Sequence, residues 1–193
     1  MDLTQGTEKQ KHERSRKMML WFAMASLLMA FAGWTSAYII SSKREDWLHD
    51  LELPMAFFVS TVILLLSSLT YIAAKRAVKA NKQKRGTTWL WVTLILGGLF
   101  VGLQFYGFSQ MLANGYYFTG PTSNIKTSYI FLIAFVHFLH IAAGITSLVV
   151  VLARQVRGKY GPDKMLGIDL GASFWHFLDL LWLYLILFMS FVK

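Results

Sequence analysis

Cysteine is absent from the 193 residues of this chain. A disulfide framework, a thiolate-held metal, a cysteine-ligated iron–sulfur cluster and a thioether-attached haem are therefore all excluded. Charge is scarce as well. Charged residues make up 15% of the sequence, where a soluble domain carries about a quarter. What charge there is falls between long apolar runs instead of being mixed with them. Acidic residues are the scarcer sign, 10 against 19 Lys and Arg, for a net charge of +9. That excess does not read as nucleic-acid binding. The basic residues flank apolar segments, where lipid headgroups attract them, and no basic region is large enough to fold alone. Also missing are a nucleophile–base pair, a P-loop, a dinucleotide fingerprint and paired carboxylates. The chain reads as catalytically empty, with no catalytic, cofactor-binding or metal-ligating residue assigned.

Apolar length is what the sequence has in abundance: 55% of residues are hydrophobic and 16% aromatic. A hydrocarbon core of roughly 30 Å takes about 20 residues of helix to cross. Five runs qualify, at 18–41, 54–74, 88–112, 127–152 and 172–192. They are too long and too uniformly apolar for barrel strands, and lipid tolerates no other backbone, so the expected class is an all-α membrane bundle of five transmembrane helices. The first run is too long for a signal-peptide core and is not followed by a small-residue cleavage site, so it reads as a retained helix. Residues 1–17 form a polar tail and residues 18–193 one membrane domain.

Lys and Arg set the expected orientation. The tail (Lys9, Lys11, Arg14, Arg16, Lys17), the second connection (Lys75, Arg76, Lys79, Lys82, Lys84, Arg85) and the fourth (Arg154, Arg157, Lys159, Lys164) hold 15 of the 19. The other side has Lys43, Arg44, Lys126 and Lys193. The N-terminus is accordingly placed in the cytoplasm and the C-terminus outside. Trp47, Trp89, Trp91, Tyr116 and Tyr117 fall where an interfacial aromatic belt belongs. Connections are short, so consecutive helices are expected to be antiparallel neighbours. The basic stretch from Lys75 to Arg85 offers an extension of the second helix.

Ionisable residues at membrane depth each call for a reason. His137 and His140 lie three apart on the fourth run, and His176 and Asp179 three apart on the fifth, so each pair shares a helical face. Counted from the cytoplasmic ends of the two runs, the pairs sit at different depths, offset by roughly 10 Å at about 1.5 Å per residue. Three readings stand: histidines and Asp179 satisfied structurally, Asp179 on a proton-collecting surface, or histidines as haem or metal ligands. The offset argues against bis-histidine haem, and helix-borne carboxylates to complete a metal site are missing. Asp179 is the sole acid within the five runs; it is neutral, paired (with His176 or a partner's base), or turned to an interface. Gly98–Gly102 is a GxxxG with Gly97 beside it. Gly33–Ala37 and Ala143–Ser147 are small-xxx-small patterns, and internal bundle packing is their expected use. Gln104 and Gln110 read as polar glue between helices.

These strings resemble subunit III of the haem–copper terminal oxidases. His137, His140 and Gly144 match the family's His-x-x-His with a glycine four residues on. Trp175, His176, Phe177, Asp179 and Trp182 match its last-helix motif in full. Gln104 matches a middle-helix glutamine, and Ala32-Gly33 with Tyr38 the end of an earlier helix. The resemblance covers nearly the whole chain from Met18, in the shorter five-helix bacterial form. It implies a non-catalytic accessory subunit of an aerobic terminal oxidase in the bacterial inner membrane, packed on subunit I and near subunit II. Haem and copper are then expected in those partners and none in this chain, with structural phospholipid in a cleft and a contribution to proton uptake. Cytochrome c is the expected electron donor, and a quinol oxidase or nitric-oxide-reductase accessory role is the alternative. From another class, a small haem-carrying membrane anchor remains open. A transporter is disfavoured by the lack of an inverted repeat or Gly/Pro-broken helix pair. Two acids usual in the family's inner surface are replaced here by Leu27 and Gly107, which favours scaffolding over proton collection.

Overall fold

A computed structural model describes residues 7–48, 51, 53–121, 123–162 and 164–192. Lys193, counted in the charge pattern, lies outside them. Five helices form: α1 Glu8–Ser41, α2 Met55–Lys79, α3 Gln83–Ala113, α4 Ile125–Val156 and α5 Leu166–Phe191. All five are long and apolar enough to cross a membrane. Among the described residues the only β-pairing is an isolated bridge between Gly161 and Lys164.

The helices outrun the apolar segments, and side-chain caps set two of their starts. Thr7 caps α1 ten residues before the apolar run begins, in a capping box with Gln10. Asn124 does the same for α4 with Thr127. The basic stretch between α2 and α3 is not one extended helix. Asn81 takes a left-handed conformation, φ 58°, which Asn tolerates better than most residues. The turn splits the basic residues between two helix ends. Gly86 then permits close approach, since a Cβ there would lie 2.5 Å from the Val78 side chain.

Helix α5 is the axis of the bundle and packs on α1, α2 and α4, with α2 on α3, α3 on α4, and α4 on α1. Consecutive helices are neighbours with one exception: no close backbone approach joins α1 to α2. Their connection is long enough to cross the end of the bundle, and α1 docks on the far side against α4 and α5. A slot is left between α1 and α2, floored by α5. Within that connection Trp47 is buried instead of standing in an aromatic belt. Its ring meets Tyr38 edge-on at 4.8 Å, and the Lys126 ammonium lies 5.9 Å from its centroid. Trp89, Trp91 and Tyr117 are exposed as expected. At the exposed end of the connection, a hydrogen bond from Arg44 and then its charge hold the Asp46 carboxyl below its usual range.

The glycines divide by direction. A Cβ at Gly97 would come 2.8 Å from Trp175, and one at Gly144 would come 2.8 Å from Leu178. Gly33, Gly98 and Gly102 face no side chain within 4 Å. The GxxxG of α3 therefore points out of the bundle, contrary to its expected internal use. Gly97, the residue beside it, makes the internal contact.

A buried polar seam on the axial helix

Lipid tails offer helices little hydrophobic reason to associate, so packing and interhelical hydrogen bonds carry the assembly. Several of those bonds follow one line between α2 and α5. The Trp175 indole N–H donates to Ser67 Oγ at 3.0 Å, and the Trp182 indole N–H to Thr61 Oγ1 at 3.0 Å. Seven residues separate Trp175 from Trp182 on α5 and six separate Thr61 from Ser67 on α2, about two helical turns on each, so both pairs lie on one seam. His176 Nδ1 meets Ser68 Oγ at 2.6 Å on the same line. Helix α3 joins through Gln104, whose amide donates to Ser60 Oγ at 2.8 Å, and through the Thr70–Thr93 hydroxyl pair at 2.8 Å. Sequence reasoning singled out Trp175, His176, Trp182 and Gln104 but missed their partners. The signal was present: Ser60-Thr61 and Ser67-Ser68, seven apart in an otherwise apolar run.

Helix α4 closes the other side. Gly144 lets it approach α5 at Leu178 and Trp175. His137 is fully buried, stacked on Trp182 with ring centroids 5.1 Å apart and planes at 28°. Neither of its ring nitrogens has a hydrogen-bond partner. His140 donates from Nδ1 to the Val136 carbonyl at 2.7 Å and meets Phe31 of α1 edge-on. These contacts revise the expected depths. With residue 137 beside 182 and 144 beside 178, Asp179 falls level with residues 140–143, so no large offset separates the pairs. The apolar runs do not start at equal heights, because α4 continues to Val156 and α5 begins at Leu166. Direction separates the two pairs instead. His137 and His140 face Trp182 and Phe31, whereas His176 and Asp179 face α2.

Asp179 is buried, with Oδ2 at 4.0 Å from His176 Nδ1. Ser68 sits beside the same carboxyl without closing a hydrogen bond to it, and neither carboxyl oxygen has a partner. Serine, histidine and aspartate thus meet, but not as a nucleophilic triad. Ser68 and Asp179 both approach Nδ1, whereas general-base activation needs them on opposite ring nitrogens. A second acid, Asp169, enters α5 because that helix starts early, and it pairs with Lys75 of α2 at 2.8 Å. Among the described residues no group of three or more His, Cys, Asp or Glu is placed to hold a metal ion. Position 107 is closed to an acid, since even a Cβ there would lie 2.8 Å from Phe57.

The fold and its seam define a polytopic helical membrane protein whose polar interior is spent largely on holding helices together. Residues 45–192 match the family model described as cytochrome c oxidase subunit III, and the chain belongs to that family. It is 30% identical over 128 residues to cytochrome c oxidase subunit 3 of Alkalihalophilus pseudofirmus, covering 66% of this chain and 61% of that protein. It is 34% identical over 135 residues to cytochrome bo(3) ubiquinol oxidase subunit 3 of Pseudomonas aeruginosa, covering 68% and 61%. With cytochrome c oxidase subunit 3 of Thermostichus vulcanus it shares 27% identity over 179 residues, 91% of this chain and 86% of the relative. The chain thus spans about three fifths of the length of the first two relatives.

Proposed function

We propose that this chain is a non-catalytic accessory subunit of a haem–copper terminal oxidase in aerobic respiration, seated on the catalytic subunit I and near subunit II. Haem and copper belong to those partners, and electrons come from cytochrome c. The observation that carries the reading is the seam. Ser60, Thr61, Ser67 and Ser68 tie the motif residues Gln104, Trp182, Trp175 and His176 to α2, which suits a scaffold better than a reaction centre. Residues 1–17 and the basic ends of α2 to α5 lie on the cytoplasmic face of a bacterial inner membrane, and the C-terminus lies outside.

Structural phospholipid fits the slot between α1 and α2. Its basic end is a cavity of about 250 Å³ lined by Lys17, Trp21, Lys75, Asp169 and Ser173. Lysine ammonium and indole N–H groups suit a headgroup, and the apolar flanks suit acyl chains. A quinol oxidase is the second reading for the complex, favoured by the similarity to the bo(3) subunit of P. aeruginosa. Purification through a tag on this chain in mild detergent tests the assignment. The copurifying subunits are identified by mass spectrometry, and oxygen consumption is assayed with reduced cytochrome c and with a quinol. Recovery of a haem–copper subunit I with cytochrome c oxidation supports the proposal, and quinol oxidation alone selects the second reading. Capture of no oxidase subunit contradicts both.

A further inference from the structure

We propose that Ser68, His176 and Asp179 form an internal proton-binding site that exchanges with water through the cavity at the basic end of the bundle. The geometry has three parts. Asp179 is buried with both carboxyl oxygens unpartnered, a costly place for an uncompensated negative charge. His176 lies 4.0 Å away and is the only one of the pair that reaches the surface, its side chain 28% exposed against 3%. One turn nearer the basic end on the same face of α5, Ser173 lines the cavity with Lys17, Lys75 and Asp169. The headgroup region that this cavity faces is hydrated, so water and His176 are one helical turn apart.

The transfer balances through a single proton. With Nε2 protonated, His176 Nδ1 accepts from the Ser68 hydroxyl. When the neighbouring Asp179 carboxyl closes on Ser68 Oγ, it passes its proton there as Ser68 passes its own to Nδ1, leaving an imidazolium beside a carboxylate. The imidazolium releases its Nε2 proton to cavity water, and the reverse sequence reloads the carboxyl. Charged and titratable groups surround the site. Lys75 and Tyr71 come from α2, with the Tyr71 ring 6.0 Å from that of His176. Asp169 comes from α5, paired to Lys75, and Lys17 from α1. Helix α4 brings His137, stacked on Trp182 one turn beyond Asp179, and α3 brings only the uncharged Gln104.

Infrared spectroscopy of the intact complex, titrated in H2O and D2O, tests this. A protonated-carboxyl band that disappears in Asp179→Asn and shifts promptly in D2O is expected. Deuteration about tenfold slower or more is expected in Ser68→Ala and in His176→Phe. Should His176→Phe fail to assemble, Ser173→Leu, which narrows the mouth without touching the cluster, is expected to slow it too. Absence of an Asp179-dependent protonated carboxyl across the stable pH range overturns the proposal. So does exchange that is equally fast in the Ser68 and Ser173 variants. Neither outcome bears on whether an oxidase copurifies.

Discussion

Gly97 and Gly98 are neighbours in sequence with opposite surroundings, and exchanging each for alanine isolates the packing between α3 and α5. At Gly97 the added methyl would lie 2.8 Å from Trp175 Cη2 and 3.1 Å from Cζ2. Carbon atoms prefer about 3.5–4.0 Å, so the ring would have to retreat by about 0.7 Å or more. Trp175 has little room to do so. It is 1% exposed, its indole N–H is held by Ser67, and its other edge faces Gly144. Overpacking of this kind costs about 1–3 kcal/mol. At Gly98 the methyl meets nothing within 4 Å. Both substitutions gain the same helix propensity, about 0.5–1 kcal/mol, which cancels in the comparison. Gly97→Ala is therefore expected to be less stable than Gly98→Ala by about 1–3 kcal/mol, and about 1.4 kcal/mol is already tenfold in an equilibrium constant. Reversible unfolding of the purified chain in mixed micelles with rising SDS, followed by tryptophan fluorescence, reads the difference. Coincident transitions for the two variants would refute the inward placement of Gly97.

The Trp182–Thr61 hydrogen bond is expected to show a coupling of about 0.6–1.7 kcal/mol in a double-mutant cycle of Thr61→Val with Trp182→Phe, and zero coupling would remove it from the seam. Asp179→Asn is expected to lower the yield of assembled complex more than turnover per intact complex; normal yield with lost proton pumping would reverse that ordering. Asp46 carries a carboxyl held below its usual range, so any stability it lends is present at neutral pH and lost as pH falls through that lowered value. It is exposed, and Asp46→Asn is expected to leave the melting temperature at neutral pH unchanged; a clear drop would mean the pair matters more than an exposed one should. The chain's lack of cysteine allows single-cysteine topology mapping. In intact cells, Thr119→Cys is expected to react with an impermeant maleimide and Lys84→Cys only after permeabilisation, and the opposite pattern would invert the proposed orientation.

The five spans were legible because hydrocarbon thickness imposes one length and one composition on every crossing segment. Helix ends were not, because they depend on local chemistry: Thr7 capping α1, Asn81 breaking the basic stretch, α5 starting at Leu166. That last shift is what hid the true level of Asp179. The separation of α1 from α2 was equally hidden, since a connection long enough to cross the bundle leaves the choice of neighbour to packing. Among the candidate residues, Trp175, His176, Trp182, Gln104 and Gly144 stood out by type and spacing. Their partners on α2 did not, because Ser and Thr in an apolar run look unremarkable until a facing helix supplies an indole or an amide. The direction of a glycine is no more readable than that, as Gly97 and Gly98 show.

The central claim is that this chain supports an oxidase without holding a redox group itself. Its most direct test is a reduced-minus-oxidised visible spectrum of the complex, repeated on this chain after it has been stripped from its partners in stronger detergent. All haem absorbance leaving with the partner subunits, and a featureless spectrum for a still-helical five-helix chain, is the predicted result. A haem spectrum that stays with the isolated chain and vanishes in His137→Ala or His140→Ala would contradict the account and make those histidines ligands.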